Sequence, residues 1–334
     1  MTNKSDLINC FSAITPSAEQ KEKMLQRILA NSNAAETQSV KRTSRRVFII
    51  LAASVLLVLI ATTALAIISS WHEKLREFFH NPSSEQMESV NSGVATPEAT
   101  MTKNGLTINI LQTLADSNGC YVLYEVTAPE DIEFNDDFKW SWWALHVPAT
   151  PTGYGGRIIQ NRVVEQNGNQ RTELMFMQGS SSWKTGKARL ILRDLGYVKN
   201  AGLESMEWVT VLEGEWELEW EFTGYQQSKV IAVNQPIRIN GRDKLITEVV
   251  ISPISVCVYL QGDDKSTDTS INVNFNDGSC ITYDPKNPNA FSVVYLMNED
   301  EMIYEHMLYY RFESLIDVGT VESISINNMT IPLL

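Results

Sequence analysis

The sequence predicts a mostly β protein: two antiparallel β-sandwich domains outside a membrane, one transmembrane helix, and a short helical N-terminal cytoplasmic segment. Three observations carry this. Val47 to Ile68, VFIILAASVLLVLIATTALAII, is an uncharged run of 22 residues without proline. The residues before it place apolar side chains at helical spacing, and those from Met101 onward alternate apolar with polar. The expected segments are therefore 1–46 (cytoplasmic), 47–68 (membrane), 69–100 (juxtamembrane helix and tether), 101–228 (first β domain) and 229–334 (second β domain).

The N-terminal segment holds two short amphipathic stretches. Leu7, Ile8, Phe11 and Ile14 form one apolar stripe, and Met24, Leu25, Ile28 and Leu29 form another. Thr15-Pro16, or Ser17 with Gln20, supplies an N-terminal signal for the second helix. Two such helices bury too little area to be stable alone. They serve either to fold on a cytoplasmic partner or merely to lead the chain into the membrane. The partner-binding residues expected under the first alternative are Leu7, Ile8, Phe11, Met24, Leu25, Ile28 and Leu29. Asn31 to Ser44 is polar and reads as a linker.

At about 1.5 Å per residue a helix over Val47–Ile68 covers roughly 33 Å, enough to cross a hydrocarbon layer of roughly 30 Å. Lys41, Arg42, Arg45 and Arg46 crowd its N-terminal side, which places that side in the cytoplasm. Ala64-Leu65-Ala66 resembles a signal-peptide cleavage site, so the anchor is either retained or cut. The apolar run continues past that point, and 46 residues make a long leader, which favours retention.

After the span, Trp71, Leu75, Phe78 and Phe79 share one side of a short helix, with Trp71 expected at the membrane interface. A second helix over Ser84–Val90 and a tether over Asn91–Glu98 complete the juxtamembrane region.

From Met101 the period is two. Leu106, Ile108 and Ile110 share a face. Asp116 to Gly119 is a turn, and Val122, Tyr124 and Val126 share a face of the returning strand. The clearest strand is Glu215–Phe222, where Trp216, Leu218, Trp220 and Phe222 alternate with four glutamates. Burying each large apolar side chain is worth about 1.5–3 kcal/mol, which fixes the register against mild repulsion among solvated carboxylates. Trp140, Trp142 and Trp143 are expected to pack.

Further strands are expected at Glu173–Met177, Ala188–Leu192, Ile237–Ile239, Leu245–Ile251, Ser255–Leu260, Ser270–Phe275, Ser279–Tyr283, Ala290–Leu296 and Ser323–Ile326. Asn276-Asp277-Gly278 is a hairpin turn. Met302–Phe312 fits either a strand or a short helix. Short strands at this spacing indicate antiparallel sandwiches.

Before Val47 there are eight Lys and Arg against four Asp and Glu; after it there are 19 against 36, a net −17 that repels nucleic acid. Cys10, Cys120, Cys257 and Cys280 show no metal spacing. Cys257 and Cys280 form a disulfide only if their strands are adjacent, and are otherwise thiols. His72, His80, His146 and His306 match no metal motif, and no nucleophile elbow is present. Gly153, Gly155 and Gly156 lack the Lys-Ser/Thr ending of a phosphate loop. Asp263, Asp264 and Asp268 make only a weak calcium pattern, better read as a solvated hairpin tip. Acid pairs such as Glu204/Glu207 and Asp136/Asp137 are commonplace in so acidic a chain. No catalytic residue, metal or cofactor is expected.

As a whole the chain resembles a domain-of-unknown-function family of Gram-positive single-pass membrane proteins, some of them similar to anti-sigma factors. The likeness is carried by RRVFIILAASVLLVLIATTALA, WHEKLREFF, NGLTINILQTLADSNGCYVLYEVTAPEDI and VESISINNMTIPL. It implies an immunoglobulin-like outer region and signalling across the envelope to a cytoplasmic sigma factor. Zinc-type anti-sigma proteins carry a histidine and paired cysteines in the inner domain. Here Cys10 stands there without a histidine, so any sigma-factor contact must be helix packing. The expected partners are the lipid bilayer through Val47–Ile68, a sigma factor or other protein inside, and wall polymer or another surface protein outside. Two roles follow: an envelope sensor or regulator, or a cell-surface binding module.

Overall fold

A computed structural model describes residues 19, 21–23, 25–27, 70–148, 157–179, 183, 185–199, 207–222, 228–264, 269–284, 286, 290–298 and 303–333. The chain divides into two units, Met1–Ala61 and Thr62–Leu334. In the first unit the described residues are helical; Leu25 is 53% exposed and Lys23 pairs with Glu19 at 2.6 Å. Among the described residues no helix is long and apolar enough to cross a membrane. The expected span Val47–Ile68 lies outside the described residues.

The second unit is mostly β, built from antiparallel sheets. Two short helices come first, α1 (Glu73–Phe78) and α2 (Ser84–Val90). The imidazole of His72 accepts from the Lys74 amide at the start of α1, and Ser83 with Gln86 forms a reciprocal capping box at α2.

Sheet I contains β1 (Val94–Ala95), β2 (Thr100–Lys103), β3 (Leu106–Ala115), β4 (Gly119–Thr127), β6 (Arg157–Asn167) and β7 (Gln170–Gln178), in the order β1-β3-β4-β7-β6 with β2 also on β3. Sheet II is β5 (Lys139–His146), β8 (Gly186–Lys199) and β9 (Glu207–Phe222), in that order. Leu106, Ile108, Val122, Tyr124 and Met175 of sheet I meet Leu190, Leu192, Trp216 and Trp220 of sheet II in a first core.

Sheet III runs β10 (Lys229–Ile239), β11 (Arg242–Ile251), β12 (Ser255–Gly262), β16 (Ile303–Arg311), β15 (Ala290–Asn298). Sheet IV runs β14 (Cys280–Tyr283), β13 (Ile271–Phe275), β17 (Val321–Ile326), β18 (Met329–Pro332). Their facing side chains, among them Ile246, Val258, Leu308, Val273 and Ile324, form a second core.

A third core joins the two sheet pairs. Leu114, Tyr121, Leu123, Leu174 and Phe176 from the outer face of sheet I pack with Val250, Cys257, Met307 and Tyr309 of sheet III, and with Trp71, Leu75, Phe79, Met87 and Val90 of the helical segment. Both faces of β4 are therefore buried. This is why Tyr121–Tyr124 reads as a continuous apolar run rather than a strict alternation.

Several expectations are corrected. Trp71, expected at a lipid interface, is 4% exposed because its ring fills the third core. Asn91–Glu98 is not a loose tether: Val94 and Ala95 pair with Leu114 and Thr113 of β3. Within the expected Met302–Phe312 stretch, Ile303–Arg311 is strand rather than helix, since β16 is hydrogen-bonded on both sides, to β12 and β15. Cys257 and Cys280 lie in different sheets and both are free thiols, Cys257 buried and Cys280 exposed. The glutamates of β9 are not merely solvated. Glu215, Glu217 and Glu219 pair with Arg193, Arg189 and Lys187 across the β8–β9 ladder. Trp142, expected to pack, is 43% exposed and is covered by the Arg193 guanidinium at 4.4 Å.

Candidate functional site

Two features of the Thr62–Leu334 unit go beyond simple packing. One is the seam at the third core; the other is a cavity between sheets I and II.

At the seam, the Asp116–Gly119 turn does more than reverse the chain. One carboxylate oxygen of buried Asp116 accepts from the amides of Asn118, at 2.8 Å, and Gly119. The other accepts from the hydroxyls of Ser252, at 2.6 Å, and Ser255, both just outside or at the start of β12. Burial pushes the Asp116 carboxyl up, against the pull of those four donors. Tyr259 of β12 adds a hydroxyl donated to Asn118 Oδ1 at 3.2 Å.

The same seam holds the chain immediately after the expected membrane span. Gln112 of β3 donates from Nε2 to the Ser70 carbonyl at 2.7 Å and accepts from the His72 amide at 2.8 Å. Such a two-point clamp fixes the backbone direction at the entry to α1. Leu75 and Phe79 are fully buried, with Phe79 edge-on to Tyr121 at 5.2 Å. Gln86 of α2 reaches the Leu315 carbonyl at 2.6 Å, so the helical segment touches both sheet pairs.

The cavity, of about 270 Å³, opens between β5 and β6, which are end strands of sheets II and I. Phe138, Trp140 and Trp143 supply its aromatic lining, and Asn161, Arg171 and Glu173 its polar lining. Arg171 and Glu173 form an ion pair with both side chains 2% exposed. Arg171 also donates from Nη1 to the Phe138 carbonyl at 2.8 Å and sits 4.7 Å from the Phe134 ring. Glu173 Oε2 accepts from the Tyr124 hydroxyl and from Asn161 Nδ2, each at 2.5 Å. Burial, reinforced by the Glu173 charge, holds the Tyr124 phenol protonated.

Three fully buried polar atoms of the lining residues find no hydrogen-bond partner among the described residues, Trp140 Nε1, Arg171 Nε and Asn161 Oδ1, and Glu173 Oε1 meets only the Arg171 guanidinium. Two are donors and one is an acceptor. A buried ion pair is costly to assemble unless its remaining hydrogen-bonding capacity is met. The arrangement suits binding.

Of the partner-binding residues expected in the N-terminal segment, Leu25 is helical and exposed, while Leu7, Ile8, Phe11, Met24, Ile28 and Leu29 lie outside the described residues. Gly153, Gly155, Gly156, Asp268 and Glu204 also lie outside them. Asp264 pairs with Lys244 at 3.1 Å. Among the described residues no group of three or more His, Cys, Asp or Glu side chains is placed to hold a metal.

No family model matches the chain, and no curated protein matches it. Among solved structures it is similar to a conserved domain protein from Bacillus anthracis, at a TM-score of 0.49 and 12% identity, over 72% of this chain and 78% of that one. The likeness is too remote to carry an inference about function.

Proposed function

We propose that this chain is a non-catalytic, single-pass membrane sensor or regulator of the Gram-positive envelope, similar to an anti-sigma factor. Val47–Ile68 anchors it, residues 1–46 face the cytoplasm, and two immunoglobulin-like sandwiches stand outside. The observation that supports coupling is the clamp of Gln112 on Ser70 and His72. A chain that leaves the bilayer at Ile68 and is gripped at Ser70 has almost no slack. Rearrangement of the outer sandwiches is then felt by the anchor, as a sensor requires and a passive surface module does not. Inside, Leu7, Ile8, Phe11, Met24, Leu25, Ile28 and Leu29 bind a sigma factor or another cytoplasmic protein by helix packing.

The test is co-purification from cells carrying the full-length chain. A cytoplasmic protein is expected to accompany the native chain and to be lost with the L25D/I28D double variant. Its amount should change severalfold when a flexible eight-residue Gly-Ser insert separates Ile68 from Ser70. No enrichment over the double variant, or an insert without effect at equal surface level, overturns the reading.

A second reading, a cell-surface module that binds wall polymer or another surface protein, is favoured by the cavity between sheets I and II. Under it the inner segment can be deleted without consequence.

A further inference from the structure

We propose that a cavity bounded by the end of α1, by β6 and by the end of β16 binds a singly charged oxyanion, the carboxylate or phosphodiester group of a larger ligand. This deepens the proposed function by naming a ligand class, and it rests on the outer β region binding a ligand, not on signalling.

The cavity, of about 350 Å³, lies where the helical segment and both sheet pairs meet. Phe78 is the last residue of α1, and His80 follows it. Gln160 and Arg162 come from β6, the end strand of sheet I. Arg311 ends β16 of sheet III, with Phe312 and Glu313 next in the chain. His80 and Asn81 hold positive φ values of 58° and 53°, and their amides donate to the carbonyls of Glu77 and Arg76. Two of the carbonyls that would repel an anion at this helix end are thus already hydrogen-bonded.

The charges decide the class. Arg311 is 8% exposed, and its guanidinium lies 5.5 Å from the Phe78 ring and 5.4 Å from the Phe176 ring, so one cation is fixed in the wall. Arg311 Nη1 donates to Gln160 Oε1 at 2.9 Å. The amide is held by its acceptor end. Its Nε2, which makes no hydrogen bond among the described residues and is not enclosed, remains as a donor. Arg162 is exposed, and among the described residues it pairs with no carboxylate. Two arginines against Glu313 leave one positive charge in the lining when His80 is neutral. A singly charged anion balances it, a doubly charged one does not, and a cation is repelled. The guanidinium fork favours an anion with two oxygens side by side, as in a carboxylate or a phosphodiester. Repulsion from the acidic remainder of the outer region is screened beyond about 8 Å at physiological ionic strength, so the local charges govern.

The test is thermal unfolding of the full-length chain in nonionic detergent, followed by tryptophan fluorescence. Acetate and dimethyl phosphate are each titrated to about 0.1 M, against sodium chloride and sodium sulfate at equal ionic strength. At least one of the two is expected to raise the midpoint of the native chain by about 2–4 °C more than those of R162E and R162Q. The larger effect tells whether the ligand group is carboxylate or phosphodiester. Sulfate should show a smaller difference between native chain and variants. Arg162 is exposed, so both variants should unfold in chloride at the native temperature. R162Q adds no charge, so its loss of the effect is not repulsion. Equal shifts in native chain and variants for both anions, or a larger difference with sulfate, overturn the proposal. None of these results depends on the cytoplasmic co-purification.

Discussion

Asp116, in the turn between β3 and β4, accepts a 2.6 Å hydrogen bond from Ser252, in the turn between β11 and β12. With Ser255 on the same carboxylate, this joins the two sheet pairs through one buried side chain. Replacing Asp116 by Ala removes the acceptor shared by two hydroxyls and two amides. The expected loss is about 2–4 kcal/mol, on the scale of several unsatisfied buried groups. Ser252→Ala also strands the Ile254 and Ser255 amides that its hydroxyl oxygen accepts from, and should cost about 1–3 kcal/mol. Denaturant unfolding of both variants checks the ratio.

Gly119 lies against the same seam. A Cβ there would stand 2.5 Å from the Tyr309 hydroxyl and 3.0 Å from Phe176. Gly119→Ala should destabilise by about 1–3 kcal/mol through overpacking. Adding Tyr309→Phe removes the closer clash, so the double variant should be more stable than Gly119→Ala alone. A double-mutant cycle by thermal unfolding measures that coupling.

His306 gives the fold an acid-sensitive point. Burial, with the Lys244 ammonium at 3.2 Å from Nε2, lowers its imidazole to about 4. Asp264, which pairs with Lys244, opposes this only in part. Between about 4 and the ordinary histidine value near 6.5 the unfolded chain binds a proton that the folded chain does not. Stability therefore falls as pH drops through that window, by at most ~3 kcal/mol from this group. Glu248 and Glu305, raised by burial, act in the opposite sense: their burden on the fold is relieved on acidification. His306→Gln should flatten the stability profile between pH 6.5 and 4.

The Arg171–Glu173 pair is a buried charge pair inside the first sheet pair. Either residue replaced alone leaves a buried charge and should cost about 3–5 kcal/mol. Arg171→Met with Glu173→Leu removes both charges but strands the Phe138 carbonyl, the Tyr124 hydroxyl proton and the Asn161 amide, so it should recover only part of that stability. The double variant is then expected to unfold between the single variants and the native chain. Denaturant unfolding curves of the two single variants and the double variant check this order.

Much of this fold is local and so was legible in the residue pattern. Trp216 to Phe222 alternate because one face of β9 meets a core, and the short helix over Ser84–Val90 is found where it was expected. Non-local features were not legible. Burial of Trp71 depends on sheets I and III meeting back to back, which no periodicity records. The separation of Cys257 from Cys280 depends on strand order. The ambiguity of Met302–Phe312 arose because β16 is buried on both faces, where alternation disappears. The cavity left one trace: Arg171 and Glu173 occupy the same inward stripe of β7 as Met175 and Met177, and an i, i+2 charge pair continuing an apolar stripe marks a buried ion pair. Asn161 and the orphaned Trp140 nitrogen left none.

Coupling between anchor and ectodomain is the claim on which the functional account stands, and amide hydrogen exchange of the full-length chain in nanodiscs tests it most directly. The amides of His72, Phe79 and Leu114 should exchange as slowly as those of β4, and Gln112→Ala should accelerate His72 first. If residues 70–95 exchange at the rate of an unstructured tether while β4 stays protected, the outer region hangs loosely from its anchor and the sensor account is contradicted.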